Sequence, residues 1–396
     1  MSSTLPRRAF LGAELLPDED AFTPAGMRIA GVSPGGMADR AGVQAGDVIV
    51  SIAEAPVRNL CELAIALRTA GAAGTAKVLV RRGAAVLDTK VPVTPQPVET
   101  IEGAEVIYGE LTFGRGADLV RLRTITTKVA RPRALVLVIQ GIACESVDHA
   151  TSPEAPLAGL VHGWAREQIE SIRFDKRGVG DSEGGPCDAT DFVTELADAR
   201  AALGLAQASA KAAGIPLFMF GHSVGGIIAS SLAGAAPDVA GVLTYGAPVE
   251  RWIACLVDST RRQLELNGAP PEEIERRTQG VRDLAATGEL DGRSAAYHAQ
   301  LDRLDLAAAW KAVTAPVLVL RGEHDWVVRA DDQARIAQLA RGKTMVVDLP
   351  SLDHLFGMHA DRAASLRDYG IGAFDPSIVS VTRRWIHRIA DAASVT

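Results

Sequence analysis

Pro216-Leu217-Phe218-Met219-Phe220-Gly221-His222-Ser223-Val224-Gly225-Gly226 is the stretch on which the reading of this sequence turns. An apolar run leads into G-x-S-x-G and then into a helical pattern that continues to Ala235. Gly221 and Gly225 suit a turn so tight that its flanking positions must be small. A strand, a sharp turn and a helix in this order hold a serine out at the upper edge of a sheet. The helix N-terminus behind it favours developing negative charge. A serine serving only as a helix N-cap would not need both glycines.

The runs around this stretch repeat its rhythm. Ala134–Ile139, Val239–Leu243 and Pro316–Leu320 are short and wholly apolar, the mark of strands buried on both faces of a parallel sheet. Helical patterns over 156–168, 191–212, 224–235 and 332–339 alternate with them. The alternation predicts an α/β fold with a doubly wound, mostly parallel sheet, and ligands bound at the carboxyl ends of the strands.

A serine hydroxyl is a weak nucleophile and needs a base that is itself oriented by an acid. On such a sheet the order is serine, acid, histidine. His354 follows the strand pattern 344–349 and is the expected base; His298, His324, His359 and His387 are the other histidines after Ser223. Asp325, just past the strand 316–320, is the expected acid, with Glu323 and Asp331 as neighbouring competitors. The backbone N–H of Val224 is one expected oxyanion donor, and the N–H of Ile142, in the Gln140–Cys144 loop after strand 134–139, is the other. Cys144 has no evident base and is expected only to line the pocket.

With Phe174-Asp175-Lys176-Arg177-Gly178-Val179-Gly180-Asp181-Ser182 added to the elbow and to Val317–Asp325, residues 104–396 resemble an α/β-hydrolase. Within that superfamily they look closest to the serine aminopeptidase and monoglyceride-lipase-like group. The resemblance implies a helical cap at about 250–310, where helices are expected over 251–267, 271–288 and 293–310. It implies hydrolysis of a carboxylic ester or thioester of a small acyl substrate through an acyl-enzyme. Ser223 would be nucleophile, His354 base and Asp325 orienting acid, with no metal and no other cofactor.

The first hundred residues have another grain. Short strands and glycine turns surround an amphipathic helix that carries Leu60, Leu63, Ala64 and Leu67. The run 31–57, GVSPGGMADRAGVQAGDVIVSIAEAPV, resembles the centre of a PDZ domain, a small, mainly β module. PDZ domains add a partner's free C-terminus as an extra strand. The resemblance puts the carboxylate-binding loop at Phe10, Leu11 and Gly12, with Phe10 and Leu11 lining the peptide pocket. The expected domains are 1–97 (PDZ), 98–103 (a linker following the proline-rich stretch) and 104–396 (hydrolase). All catalytic candidates lie after the linker, so residues 98–396 alone are expected to keep small-ester turnover. Two further readings stand: a serine peptidase that uses the PDZ domain to hold peptide substrate, and a catalytically inactive PDZ scaffold.

Composition narrows the field. Hydrophobic residues at 47% and charged residues at 22% exclude a mainly disordered chain. A net charge of −7 argues against a nucleic-acid partner. No apolar run is long enough for a membrane span. Arg7-Arg8 resembles a twin-arginine export signal, but Asp18-Glu19-Asp20 falls where the apolar region should lie. The four cysteines are scattered without a CxxC pair, so neither a zinc site nor a disulfide framework is expected, and a cytoplasmic location is.

Overall fold

A computed structural model describes residues 5–16, 21–114, 119–369 and 371–393. Asp18-Glu19-Asp20 lies outside the described residues. The N-terminal part is a small sheet of seven strands: β1 (Ala13–Leu15), β2 (Phe22–Thr23), β3 (Gly26–Val32), β4 (Val48–Ile52), β5 (Ala55–Pro56), β6 (Thr75–Arg82) and β7 (Ala85–Pro92). Their main order is β1-β3-β4-β6-β7, so β1 is an edge strand among the described residues. The one-turn helix α1 (Met37–Arg40) and the helix α2 (Leu60–Ala73) complete it. Asn59 caps α2 by accepting from the Glu62 N–H, and Gly74 ends it in the left-handed conformation.

The larger part is an eight-stranded sheet in the order β17-β16-β13-β12-β10-β11-β9-β8. The antiparallel hairpin β8 (Ala104–Phe113) and β9 (Val120–Val129) forms one edge. The strands β10 (Ala134–Ile139), β11 (Ile169–Phe174), β12 (Leu217–His222), β13 (Val239–Tyr245), β16 (Val317–Gly322) and β17 (Thr344–Leu349) run parallel. Between them lie α3 (Pro156–Arg166), α4 (Phe192–Ala213), α5 (Val224–Ala233) and α10 (Ala330–Leu339). The chain closes with β18 (Gly357–Met358), α11 (Arg362–Arg367), β19 (Ala373–Phe374) and α12 (Ser377–Ala393).

Burial on both faces explains the apolar runs. Leu135, Leu137 and Ile139 of β10 join the core that includes α4, α5 and α10. Val136 and Val138 join the opposite core, with Trp164 of α3 and Trp385 of α12. The cap between β13 and β16 consists of α6 (Trp252–Leu266), α7 (Pro271–Thr287), a short hairpin β14 (Glu289–Leu290) and β15 (Arg293–Ser294), α8 (Ala295–Asp302) and α9 (Leu306–Ala312). The single helix expected over 293–310 is thus a strand and two helices. Asp305 stops the run by capping α9 through the Ala308 N–H.

The two parts are joined by buried charge. Arg7 donates to Asp181 Oδ2 at 2.5 Å and to Asp148 Oδ2 at 2.7 Å, and both aspartate side chains are fully buried. The Arg8 N–H donates to Asp181 Oδ1 at 2.9 Å. Arg123 of β9 meets the same Asp181 at 3.1 Å and donates to the Leu5 carbonyl at 2.6 Å. Arg68 of α2 donates to the Gly178 carbonyl at 2.7 Å. The segment 98–103 is packed as well: Glu99 is buried in a bidentate pair with Arg173, at 3.0 and 2.8 Å. A free tether is therefore not what joins the two sheets.

The expectation that residues 98–396 act alone meets this interface. Removing the first 97 residues strips Asp148 and Asp181 of Arg7 and Arg8 and leaves buried carboxylates under-paired. That fragment is expected to be much less stable than the whole chain. Arg7→Ala should cost about 3 kcal/mol in urea unfolding, the lower end for breaking a buried pair. Burial raises the Asp148 carboxyl, but Arg7 and Arg8 outweigh it and hold it below the usual value. Its stabilisation is complete above the unfolded carboxyl's range, about pH 4, and is lost as pH falls through the lower folded value. The cost of Arg7→Ala should therefore shrink on acidification below about pH 4; a pH-independent cost would contradict this account.

Candidate active site

The chain passes from β12 into α5 through Ser223, whose φ of 53° and ψ of −122° are costly for a residue with a side chain. Its N–H is held by the Tyr245 carbonyl at 2.9 Å. A Cβ at position 225 would lie 2.1 Å from the Ile139 carbonyl oxygen, and one at position 221 would lie 2.4 Å from that of Gly225. Only glycine fits at either flank. The Val224 N–H, first in α5, has no acceptor within its own helix. The Ile142 N–H makes no hydrogen bond among the described residues. Gly141 brings that loop close: its Cβ position is 3.3 Å from the Ser223 Cβ.

Asp325 and His354 meet as expected. Asp325 Oδ2 lies 2.9 Å from His354 Nδ1, and Oδ1 accepts from the Val327 and Val328 N–H groups at 2.8 and 2.9 Å. Burial alone would raise this carboxyl; the His354 charge and hydrogen bond, with the two backbone donors, hold it below the usual value. Glu323 lies elsewhere, accepting from the Ser351 N–H at 3.3 Å. Asp353 shapes the histidine loop. It accepts from the Leu355 and Gly357 N–H groups and from the Ser365 hydroxyl.

Two residues bind the Ser223 turn to the histidine loop, and neither is apparent from motif reading. His222 Nε2 is 2.8 Å from the His354 carbonyl oxygen. Burial, with His354 alongside, pulls His222 down to about 3, so it is neutral and donates that hydrogen bond. Tyr245 donates its hydroxyl to the Asp353 carbonyl while its own carbonyl holds Ser223. The place of His222 inside G-x-S-x-G was the available signal; its partner lies 132 residues away.

The surroundings bring one correction. Cys144 is paired with Cys187 in a disulfide that ties the loop after β10 to the loop after β11. Cys144 is thus a covalent brace rather than a free thiol lining a pocket. Spacing gave no sign of it, because the two loops meet only once β10 and β11 pair. Cys61 and Cys255 are free. Among the described residues no group of side chains is arranged to hold a metal. In the cap, Arg262 of α6 donates to the carbonyls of Trp326 and Val327, just past Asp325. Beside it is a cleft of about 390 Å³ lined by Asp258, Arg261, Arg262, Asp325 and Arg329. Trp252 and Val257 are buried packing residues.

At the N-terminal loop the Phe10, Leu11 and Gly12 carbonyls accept from Met37, Ala38 and Ser33. The Phe10 N–H is taken by the Thr94 carbonyl at 2.8 Å, while the Leu11 and Gly12 N–H groups carry no bond among the described residues. The Leu11 side chain, expected at the wall of a peptide pocket, is instead part of the buried core with Met27 and Ile49. Phe10 is half-buried.

Asp325→Asn should lower turnover by up to about 10⁴-fold through misorientation of His354, with Glu323→Gln costing little. Steady-state kinetics on a small aryl ester would show it. The reverse ranking would move the acid to Glu323.

Residues 130–354, more than half of the chain, match the family described as serine aminopeptidase, S33, and residues 28–82 match a PDZ domain. Among solved structures, a soluble variant of the Saccharomyces cerevisiae monoglyceride lipase, in complex with a substrate analogue, shares the fold. It has 17% identity over 74% of this chain and 98% of that one, with a TM-score of 0.50. The esterase domain of a Rhodothermus marinus protein aligns at 21% identity over 72% and 98% of the two chains, with a TM-score of 0.46. No curated protein sequence matches the chain. This α/β-hydrolase, preceded by a PDZ region, belongs to the serine aminopeptidase S33 family.

Proposed function

We propose that the chain hydrolyses a carboxylic ester or thioester through an acyl-enzyme formed on Ser223. The observation that carries this reading is the Asp325–His354 pair at 2.9 Å, on strand ends beside a strained serine turn. His354 takes the Ser223 proton as the hydroxyl attacks the acyl carbon, and Asp325 stabilises the imidazolium that results. The Val224 and Ile142 N–H groups receive the oxyanion. His354 returns the proton to the leaving group, then activates the water that frees the acid. No step calls on a metal or an organic cofactor.

The proposed domains are 1–97, 98–103 and 104–396, with the first binding a peptide C-terminus. The edge position of β1 and the two unbonded N–H groups of Leu11 and Gly12 support this. Adding a peptide strand there would place its carboxylate on those donors. A second reading, peptide hydrolysis, is favoured by the description of the matched family and by the presence of a peptide-binding module. The scaffold reading has the Asp325–His354 geometry against it.

The location is open to the same reasoning. No helix among the described residues is long and apolar enough to cross a membrane. The Cys144–Cys187 bond weighs against the cytoplasmic expectation, since such bonds persist in oxidising compartments.

Three measurements test these readings. A fluorophosphonate probe should label the wild type and not Ser223→Ala, and the variant should lose ester turnover; full activity without Ser223 would sink the mechanism. Rates on aryl esters and thioesters should exceed those on aminoacyl amides, and the opposite order would favour the peptidase. A labelled peptide with a free hydrophobic C-terminus should bind, and its C-terminally amidated twin should not. Equal binding of both would remove the carboxylate loop from the account.

A further inference from the structure

Lys176 holds the unspecified second position of the Asp175–Ser182 motif, in the turn after β11. It is 5% exposed. Its Nζ donates to the Gly141 carbonyl at 2.5 Å and to the Ile142 carbonyl at 3.1 Å, and lies 3.0 Å from Glu195 Oε1. Burial, with Arg293 alongside, pulls this amine well below its ordinary value; even uncharged it keeps two N–H donors, one for each carbonyl. A lysine serving only to neutralise Glu195 would not spend two donors on the loop carrying the proposed oxyanion donor.

The consequence follows from the planarity of the peptide bond. The Gly141 carbonyl and the Ile142 N–H belong to one trans unit and point in opposite directions. Pulling the oxygen toward Lys176 turns the N–H away from it. The Ile142 carbonyl belongs to the next unit, so both peptide planes flanking Ile142 are held by one side chain. Hydrogen bonds to a buried donor are stronger where water is absent. The disulfide at Cys144 braces the same loop two residues on.

We infer that Lys176 is a positioning residue for the oxyanion hole: by gripping the Gly141 and Ile142 carbonyls, it aims the Ile142 N–H at the developing oxyanion. This rests on the reading of Ser223 as nucleophile and Ile142 as donor. Lys176 touches no reacting atom in it. The hole is formed before substrate arrives, so no substrate binding energy is spent on ordering it.

The test is made on the full chain with Lys176→Met and Lys176→Gln, the second retaining an N–H donor should the first not fold. Each is normalised by active-site titration with a fluorophosphonate. The expected result on a small aryl ester is a kcat about 10- to 100-fold lower with KM nearly unchanged, approaching the cost of a lost oxyanion donor. The inhibition constant of phenylboronic acid, whose serine adduct is tetrahedral, should rise by a similar factor. A merely structural lysine would lower the titratable fraction and leave kcat per site and boronate affinity unmoved. That outcome, with Ser223→Ala inactive, overturns the role of Lys176 alone. An active Ser223→Ala overturns the underlying mechanism as well.

Discussion

The site is organised by one backbone constraint, the turn at Ser223. A residue with a side chain is held at positive φ, with glycine forced on both flanks by carbonyl oxygens 2.1 and 2.4 Å from where a Cβ would stand. Such a conformation persists only where its neighbours over-determine it. Here the Tyr245 carbonyl fixes the Ser223 N–H, and the Tyr245 hydroxyl and the His222 ring fix the loop that carries His354. The serine turn and the histidine loop are thus tied together by the same two residues, His222 and Tyr245.

The second organising feature is electrostatic and lies away from the chemistry. Arg7, Arg8 and Arg123 converge on Asp148 and Asp181. Asp181 belongs to the turn after β11, and Asp148 to the long connection after β10 that also contains the proposed oxyanion loop. The small domain therefore touches the two connections that the Cys144–Cys187 bond ties together. It reads as a component of the hydrolase framework rather than a separate bead. The high cost of an unpaired buried carboxylate makes the docking strict about geometry.

Much of this was legible in the sequence, for a specific reason. The parallel strands are buried on both faces and so carry unbroken apolar runs, while the elbow declares itself by its glycines. The hairpin β8–β9 does not. Arg123, Thr124 and Thr127 are buried in β9, and the partners of Arg123 are Asp181, Gly109 and Leu5. A strand that buries polar groups against distant partners loses the pattern that would announce it. The same holds for β11, where Glu170 and Arg173 interrupt the apolar run. His222 and Lys176 were visible as letters inside motifs. Their roles depend on carbonyls in loops that only the sheet order brings near. The break between α8 and α9 was readable, since Asp305 followed by Leu-Ala-Ala-Ala is a capping signal.

The clamp by the first residues bears on how the chain is made. Arg7 leaves the ribosome 174 residues before Asp181. At ordinary elongation rates that interval is roughly ten to thirty seconds. The small sheet needs only the residues up to Pro92 and has time to close on its own core. Its basic N-terminal segment must stay hydrated until β9 and the turn after β11 have been synthesised and paired. Assembly is therefore ordered: small domain first, hydrolase sheet second, and the arginine clamp last, sealing the two only after Asp148 and Asp181 are in place.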